Sequence, residues 1–459
     1  MATDSTQREV QFDNLQGEIA ARMTEHGVPG AAVGVYVDGR TFTAGLGVTN
    51  VDHPLLVTPQ TYFQIGSITK TFMGTLTMQL VEQGTLDLDA PVRAYLPAFA
   101  VADEAAAAGA TVRTLLTHNA GWVGDFFIDT GEGADACIRY VARMADLPQL
   151  APQGAHYSYN NAGFGVLGAI IEAVTEEPFE DVLQRMLIEP LGLQEWAIHP
   201  TDVMTKRFAV GHRGGDDGIS VATPWPLPRC TRPAGGIITT VGDMLTYARF
   251  HMREGVTDDG TRLLTPASIA AMRTPQTRVW GDDEAIGLTW FIDRRDGVTV
   301  YSHGGGTVGQ ISLLATIPER NFALAVVTNG QSGGHVTRAA FRWALRHMLD
   351  VTPYVPQPIP VDAATLDAFA GDYTRPFQDL ALVRTDEGLQ LQLTPKLSFP
   401  VEDGPLSPAP PPMTCTLCAP DRLLVLDGAL KESVIDMIRD EDGTIRYARL
   451  GRLHARNAD

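Results

Sequence analysis

Gly66-Ser67-Ile68-Thr69-Lys70 places a hydroxyl and an amine three residues apart where an apolar-periodic segment begins. Apolar side chains follow at steps of three and four, which predicts a helix over residues 67–83 that ends at Gly84. Ser67 and Lys70 would then share one face of its first turn. Unpaired backbone amides and the helix dipole at that end favour negative charge, which suits a serine oxygen that becomes an oxyanion.

A serine hydroxyl is a weak nucleophile unless a base lies beside it. A lysine whose pKa is lowered by burial can be that base. The Ser-x-x-Lys spacing alone is a weak signal, because many helices carry these residues as a cap and a solvated lysine. The assignment therefore depends on other segments of the chain.

One such segment is His156-Tyr157-Ser158-Tyr159-Asn160-Asn161-Ala162-Gly163, which precedes another apolar-periodic run. It offers a phenol, Tyr159, and a carboxamide, Asn161, in a loop that enters a helix. Taken singly, Tyr159 is more often a half-buried aromatic residue than a catalytic one.

A second segment joins a strand to a glycine run. Residues 298–302 are typical of a strand that continues into His303-Gly304-Gly305-Gly306, and another strand is predicted over residues 310–317. A lone histidine there is more often a turn residue. The glycines indicate a tight backbone or a close approach to a ligand.

In this order, Ser-x-x-Lys, Tyr-x-Asn and His-x-Gly resemble the motifs of the serine β-lactamase and penicillin-binding-protein superfamily. Three further stretches resemble its branch of class C β-lactamases, DD-peptidases, D-aminopeptidases and family VIII-type esterases. They are Val28-Pro29-Gly30, Leu115-Leu116-Thr117-His118-Asn119-Ala120-Gly121 and Pro233-Ala234-Gly235-Gly236-Ile237. The resemblance covers roughly residues 12–350.

The resemblance implies a role for each motif residue. Ser67 would attack an acyl carbonyl, and Lys70 would hold or take its proton. Tyr159 would relay that proton toward the leaving group. Asn161 would fix the lysine and the acyl side chain by hydrogen bonds.

The third motif would supply substrate binding and differs from its counterpart in class C β-lactamases. The backbone amides of Ser67 and Gly306 would form the oxyanion hole, with Gly305 beside them. Where those β-lactamases carry Lys-Thr-Gly, this chain carries His303-Gly304-Gly305. A histidine is largely neutral at pH 7, so the fixed positive charge near a substrate carboxylate is missing. His303 could still donate a hydrogen bond within the Tyr159–Ser67 network.

These motifs predict a serine hydrolase that acts through an acyl-enzyme on an ester, amide or peptide bond, as an esterase or a D-amino-acid amidase or peptidase would. Weak or no β-lactamase activity is expected. The alternative is a catalytically silent penicillin-binding-type sensor or scaffold. The joint presence of the motif serine, lysine, tyrosine and asparagine favours the enzyme.

Composition excludes several classes of partner. The 459 residues carry a net charge of −19, which argues against nucleic acid and anionic lipid as partners but says little about the substrate. The resemblance implies a small-molecule or short-peptide substrate. The first 16 residues lack an apolar core, and no apolar run approaches the ~20 residues of a membrane span. We therefore expect a cytoplasmic protein. Whether it forms a homo-oligomer stays open.

Cysteine usage predicts neither a disulfide nor a metal. Cys137 and Cys230 are isolated and are expected to be buried small hydrophobes. Cys415 and Cys418 form a lone Cys-x-x-Cys without the second pair that a zinc site usually needs. They are expected to be strand or turn residues, and no cofactor is implied.

The proline-rich stretch 351–360 divides the chain. Residues 1–350 are predicted to adopt the α+β β-lactamase/transpeptidase-like fold that the resemblance implies, with a five-stranded antiparallel sheet flanked by helices, a helical subdomain and the active site in the crevice between them. Asp38-Gly39 marks a hairpin in that sheet. Residues 361–459 show short alternating runs typical of a small antiparallel β-barrel, in which no catalytic residue is expected.

Two long loops, 122–136 and 212–232, are predicted to shape the pocket. Their large apolar residues are equally consistent with pocket walls and with ordinary loop packing. These residues are Trp122, Phe126, Phe127, Trp225 and Pro226.

Overall fold

Two antiparallel β structures organise the chain. The computed structural model describes residues 2–215, 218–386 and 388–457. These residues form an α+β part around a central sheet, followed by a closed eight-stranded barrel. The predicted α+β class and the predicted C-terminal barrel are confirmed.

The sheet begins with the predicted hairpin. Strands Gly30–Val37 and Arg40–Gly47 pair along their whole length. Asp38 and Gly39 between them have φ of 51° and 78°. Two consecutive positive φ values give the turn whose twist matches that of the flanking strands, which is why Asp-Gly is a strong hairpin signal.

The sheet is larger than predicted. Within the described residues it has eight strands rather than five, because three short strands extend the predicted set at one edge. Those three strands carry several charged residues and lack a clear apolar alternation, so the sequence did not reveal them. The order across the sheet is Arg40–Gly47, Gly30–Val37, Phe322–Thr328, Ile311–Ile317, Val298–Gly306, Phe291–Arg295, Glu284–Ile286 and Thr277–Trp280.

The glycine run of the third motif belongs to a strand. Val298–Gly306 is continuous, and Gly304, Gly305 and Gly306 pair with residues of the strand Ile311–Ile317. His303 is therefore held by a β ladder rather than by a turn. This fixes the direction in which its side chain points.

Helices cover both faces of the sheet. Ala2–His26 and Gly333–Met348 pack on one face, and Val241–Met252 and Thr69–Glu82 belong to the core on the other. Nine further α-helices lie in the described residues of this part of the chain. They are Val92–Tyr95, Glu104–Gly109, Val112–Leu116, Ala136–Ala142, Ala162–Thr175, Phe179–Leu183, Glu189–Leu191, Arg232–Gly235 and Pro266–Arg273.

The remaining elements of this part are brief. The 3-10 turns are Gly66–Ile68, Pro200–Val203, Arg229–Thr231 and Pro318–Arg320, and Gln184–Ile188 is a π-helical turn. The small strands are Phe63–Gln64, Trp196–Ala197, Ile238–Thr239, His212–Gly215 and Gly218–Val221. None of the helices in the described ranges is long and apolar enough to cross a bilayer.

The helix predicted over residues 67–83 is confirmed with one refinement. Its first turn is the 3-10 turn Gly66–Ile68, which passes directly into the α-helix Thr69–Glu82. Gly84 follows with φ of 73°. A left-handed residue of this kind commonly ends a helix, and glycine adopts it without steric cost.

The short runs that predict the barrel lie at 369–373, 380–383, 389–393, 423–426 and 445–450, and each overlaps one of its strands. Three more strands complete it. Of the added strands, Val434–Arg439 and Arg452–Arg456 carry charged residues that obscured their pattern, whereas Met413–Ala419 is uncharged and alternates in burial. In chain order the barrel strands are Gly371–Thr374, Gln378–Thr385, Gly388–Pro395, Met413–Ala419, Arg422–Val425, Val434–Arg439, Ile445–Leu450 and Arg452–Arg456, after the short helix Ala363–Asp367.

The cysteines lie where the sequence predicts. Cys137 and Cys230 are buried in the core of the first part of the chain. Cys415 and Cys418 share the strand Met413–Ala419, and only Cys415 faces the core of the barrel. All four are free thiols.

The proline-rich stretch forms no helix or strand over residues 351–362, all of which the structure describes. It is nevertheless anchored: Thr352 N donates to Asp296 Oδ2 at 2.7 Å, and Ile359 N donates to the Leu417 carbonyl at 2.9 Å. The domain boundaries drawn from the sequence at 350 and 361 stay a prediction.

A buried arginine joins the barrel to the edge of the sheet. Arg422 donates two hydrogen bonds of 2.8 Å to Glu284 of the sheet and lies 3.1 Å from Asp436 of the barrel. Arg449 pairs with the same Asp436 at 2.9 Å. A bidentate arginine–carboxylate pair fixes relative orientation as well as charge.

We expect Arg422→Ala to lower the free energy of unfolding by about 3 kcal/mol, because it leaves Glu284 and Asp436 short of positive charge in a buried place. Denaturant titration measures the loss. Arg439→Ala removes a pair with Asp421 that is about one-third exposed and should cost under about 1 kcal/mol. Equal losses for the two variants would contradict the structural role of Arg422.

Candidate active site

The sequence-predicted nucleophile and base are in contact. Lys70 Nζ lies 3.0 Å from Ser67 Oγ and donates a second hydrogen bond of 2.6 Å to the Ala234 carbonyl. Lys70 is fully buried. Burial lowers the pKa of its ammonium well below the usual value, the charge of Arg452 lowers it further, and Asp125 opposes the shift. The neutral amine is therefore favoured far more than in a solvated lysine.

Tyr159 lies beside this pair. Its ring centroid is 5.0 Å from Lys70 Nζ, and its ring stacks on His118 at 4.3 Å. Burial raises the pKa of the phenol above its usual value, and the neighbouring Ser67 hydroxyl opposes that rise. In the free protein Tyr159 is a phenol rather than a phenolate.

His118, which the sequence analysis did not single out, positions the Tyr159 loop. Asn160 N donates to His118 Nδ1 at 2.9 Å, and Ser158 N donates to the His118 carbonyl at 2.9 Å. Both bonds flank Tyr159 in the chain. In the sequence, His118 was noticeable only as part of the family-like Leu-Leu-Thr-His stretch, and no chemical role could be inferred for it from that stretch.

Asn161 has a different partner from the one predicted. Its Nδ2 donates to Asp125 Oδ1 at 3.0 Å. Among the described residues, the hydrogen bonds of Lys70 Nζ go to Ser67 and Ala234 and not to Asn161. A carboxylate is a stronger acceptor than a neutral amine, so the carboxamide turns toward Asp125.

His303 reaches the site in the uncharged state that the sequence predicts. It is buried, and burial together with the charge of Lys70 lowers its pKa to about 3. Its Nδ1 donates to the Gly304 carbonyl at 2.6 Å, so Nε2 carries the lone pair. Nε2 has no hydrogen-bond partner in the described part of the chain. The predicted donation toward Tyr159 and Ser67 is therefore not seen, since the ring proton is engaged by the backbone.

Close backbone contacts join the turn that carries Ser67 to the strand of the third motif. Gly66 has φ of 53°, and a Cβ there would lie 2.6 Å from Gly306 N. A Cβ on Gly305 would lie 1.9 Å from the Ile65 carbonyl. Only glycines allow the Ser67 turn and the third-motif strand to approach this closely. The oxyanion role of the Ser67 and Gly306 amides stays a prediction.

A cavity of about 680 Å³ opens over Ser67. Of the five predicted wall residues only Phe127 lines it. Trp122 is fully buried against Phe99, Phe126 packs on Tyr140, and Trp225 packs on Phe208, with Pro226 beside it at a separate small pocket. Trp122 is therefore interior packing, Phe126 and Trp225 are partly buried against other rings, and Pro226 is exposed. Local sequence cannot distinguish these placements from a cavity wall.

The barrel, for which the sequence predicts no catalytic residue, contributes to the lining of this cavity. Its lining includes barrel residues, and Arg452 Cζ lies 4.9 Å from the centroid of the Tyr159 ring. Tyr159 N donates to the Gly451 carbonyl at 3.1 Å. The barrel residues on the cavity are Arg375, Phe377, Phe399, Gly451 and Arg452.

Asp125 binds both of those arginines. Arg375 Nη1 donates to Asp125 Oδ2 at 2.5 Å, and Arg452 Nε lies 2.6 Å from the same oxygen. Burial would raise the pKa of Asp125, but the two arginine charges outweigh it and the pKa is lowered. The cluster holds two positive charges and one negative, so the site has a fixed positive charge although His303 is neutral. The only hint in the sequence was the density of arginines near the C-terminus of an acidic chain.

Comparisons with known proteins identify the family of the chain. A family model described as Beta-lactamase matches residues 15–347. Penicillin-binding protein 4 from Amycolatopsis lactamdurans is 37% identical over 377 residues, which cover 79% of this chain and 98% of that protein.

Solved structures share the fold. SurE alone and SurE with D-Leu superpose with TM-scores of 0.73 and 0.72 at 26% and 28% identity, each covering 98% of this chain and 100% of that chain. A class C β-lactamase from Rhodobacter sphaeroides has a TM-score of 0.60 at 23% identity and covers 73% of this chain and 99% of its own. The β-lactamase/transpeptidase-like fold is thereby confirmed.

The matched segment contains every residue of the three motifs. Because it spans well over half of the sequence, and because a relative above 30% identity is covered almost completely, the chain belongs to the Beta-lactamase family of serine β-lactamases and penicillin-binding proteins.

Proposed function

We propose that this chain is a serine hydrolase that forms an acyl-enzyme on Ser67 and acts on an ester, amide or peptide bond. The observation that carries the proposal is the 3.0 Å contact between Ser67 Oγ and the buried Lys70 Nζ. A desolvated lysine is available as a general base at lower pH than a solvated one, because a larger fraction of it is the neutral amine.

The proposed reaction has two half-steps. Ser67 Oγ bonds to the acyl carbon while its proton passes to Lys70, and the carbonyl oxygen becomes an oxyanion that the Ser67 and Gly306 amides hold. The bond to the leaving group then breaks, and that group takes the proton through Tyr159. In the second half-step, water attacks the acyl-enzyme ester and gives up a proton to the same base groups. The bond to Ser67 Oγ then breaks, Ser67 regains its proton, and the acid product leaves.

One solved structure with the same fold supports a substrate that contains a D-amino acid. SurE, whose fold matches nearly the whole chain including the barrel, was solved with D-Leu. We propose an esterase or a D-amino-acid amidase or peptidase on this ground. A cytoplasmic location and a homo-oligomeric assembly stay predictions.

The competing proposal is a silent sensor or scaffold, which would bind without turnover. We expect Ser67→Ala to abolish fluorophosphonate labelling and to lower hydrolysis of p-nitrophenyl butyrate by on the order of 10⁴ or more, with Lys70→Ala nearly as severe. Ser220→Ala, on an exposed hairpin, is the matched control. Wild-type turnover in Ser67→Ala would refute the assignment, and a wild type that is labelled without turnover would favour the sensor.

The pH dependence should follow Lys70. Its lowered pKa places the rise of kcat/KM, as the amine loses its proton, well below the pH at which an ordinary lysine titrates. Because the charge of Arg452 contributes to the lowering, Arg452→Gln should raise the pKa of Lys70 and move this rise to higher pH. Arg456→Gln, at the edge of the barrel, should not move it. A pH–rate profile that is identical for wild type and Arg452→Gln would contradict this coupling.

We propose weak or no β-lactamase activity. The neutral His303 cannot supply the positive charge that the lysine of Lys-Thr-Gly offers to a substrate carboxylate. Asp125 also partly neutralises the two arginines that could replace that charge. Nitrocefin should therefore be a much poorer substrate than p-nitrophenyl butyrate. The ratio of their kcat/KM values measures this. Efficient nitrocefin hydrolysis would show that the arginines replace the missing lysine.

A further inference from the structure

Three phenylalanines from both parts of the chain meet at the cavity. The Phe127 ring is 5.5 Å from Phe377 and 4.8 Å from Phe399, with interplanar angles of 75° and 78°. Edge-to-face contacts at these separations are favourable for aromatic rings. Phe127 comes from the loop that follows Trp122, and the other two come from the barrel.

Phe127 is buried, but none of the three belongs to a hydrophobic core cluster of the described residues. Phe377 and Phe399 are only half-buried, yet all three line the cavity that contains Ser67. Large aromatic side chains that are left partly accessible inside a concave site are characteristic of ligand-binding walls. Core packing therefore does not account for the placement of Phe377 and Phe399.

Backbone hydrogen bonds hold this cluster in place. Glu402 N donates to the Phe127 carbonyl at 2.6 Å, and this bond connects the barrel loop that carries Phe399 to the loop that carries Phe127. Lys396 N donates to the Phe377 carbonyl at 3.0 Å. Arg375 lies 5.2 Å from the Phe377 ring centroid and pairs with Asp125, so the aromatic wall is connected to the polar end of the site.

We propose that Phe127, Phe377 and Phe399 form an aromatic subsite that binds a bulky apolar group in the acyl part of the substrate. This rests on the acyl-enzyme function proposed above and names its substrate class. Since two of the three residues belong to the barrel, the barrel takes part in substrate selection. A pocket that buries one or more extra methylenes or a ring discriminates by about 10-fold or more between substrates.

The test compares p-nitrophenyl 3-phenylpropanoate with p-nitrophenyl acetate, which share a leaving group. The wild type should have the larger kcat/KM for the phenylpropanoate, and the Phe377→Ala/Phe399→Ala double variant should lower that ratio about 10-fold. Val383→Ala, an exposed barrel position, should leave the ratio unchanged. Fluorophosphonate labelling at the wild-type rate establishes that Ser67 is intact in each variant. An unchanged ratio in a normally labelled double variant, or no preference in the wild type, would overturn the subsite.

A binding measurement keeps this test separate from the proposed chemistry. In the Ser67→Ala background, p-nitrophenyl 3-phenylpropanoate should bind about 10-fold more weakly when Phe377 and Phe399 are also alanine. Equal affinities would overturn the subsite even if the enzyme is active. A wild type that is neither labelled nor active would instead refute the acyl-enzyme function. The ratio of the two affinities for p-nitrophenyl 3-phenylpropanoate would still decide whether the subsite exists.

Discussion

The buried carboxylate of Asp125 connects the motif residues to the barrel. It accepts from Asn161, and two barrel arginines, Arg375 and Arg452, neutralise it. Removing one partner from such a buried cluster typically costs several kcal/mol, because the remaining charge has no solvent. Arg452 also lies over the ring of Tyr159. The position of the barrel therefore sets both the charge and the packing at the sequence motifs.

Burial sets the protonation states around the serine. It lowers the pKa of Lys70 and His303 and raises that of Tyr159, so all three favour their uncharged forms. The fixed charges lie in the Asp125 cluster instead. In the proposed reaction, charge develops only when Ser67 attacks, and a site of low dielectric makes the oriented amides near the oxyanion more effective than they would be in water.

The two parts of the chain have different proposed tasks. The part before the linker holds the groups that would make and break bonds, and the backbone contact between Gly66 and Gly306 aligns two of its elements. The barrel adds Phe377 and Phe399 to the wall of the same cavity. Such an arrangement allows substrate preference to change through barrel residues without disturbing the motif serine and lysine.

Features that depend on local geometry were determined by the sequence. The Ser67–Lys70 contact follows from helical spacing, and the hairpin at Asp38-Gly39 follows from positive φ. Only the tertiary structure decided which partner Asn161 has, which loop aromatic reaches the cavity, and that Arg375 meets Asp125 across 250 positions of the chain. Periodicity reports which face of an element is buried, but it does not report what lies opposite that face. Those choices depend on how two separately patterned units pack, and no local stretch of sequence encodes that.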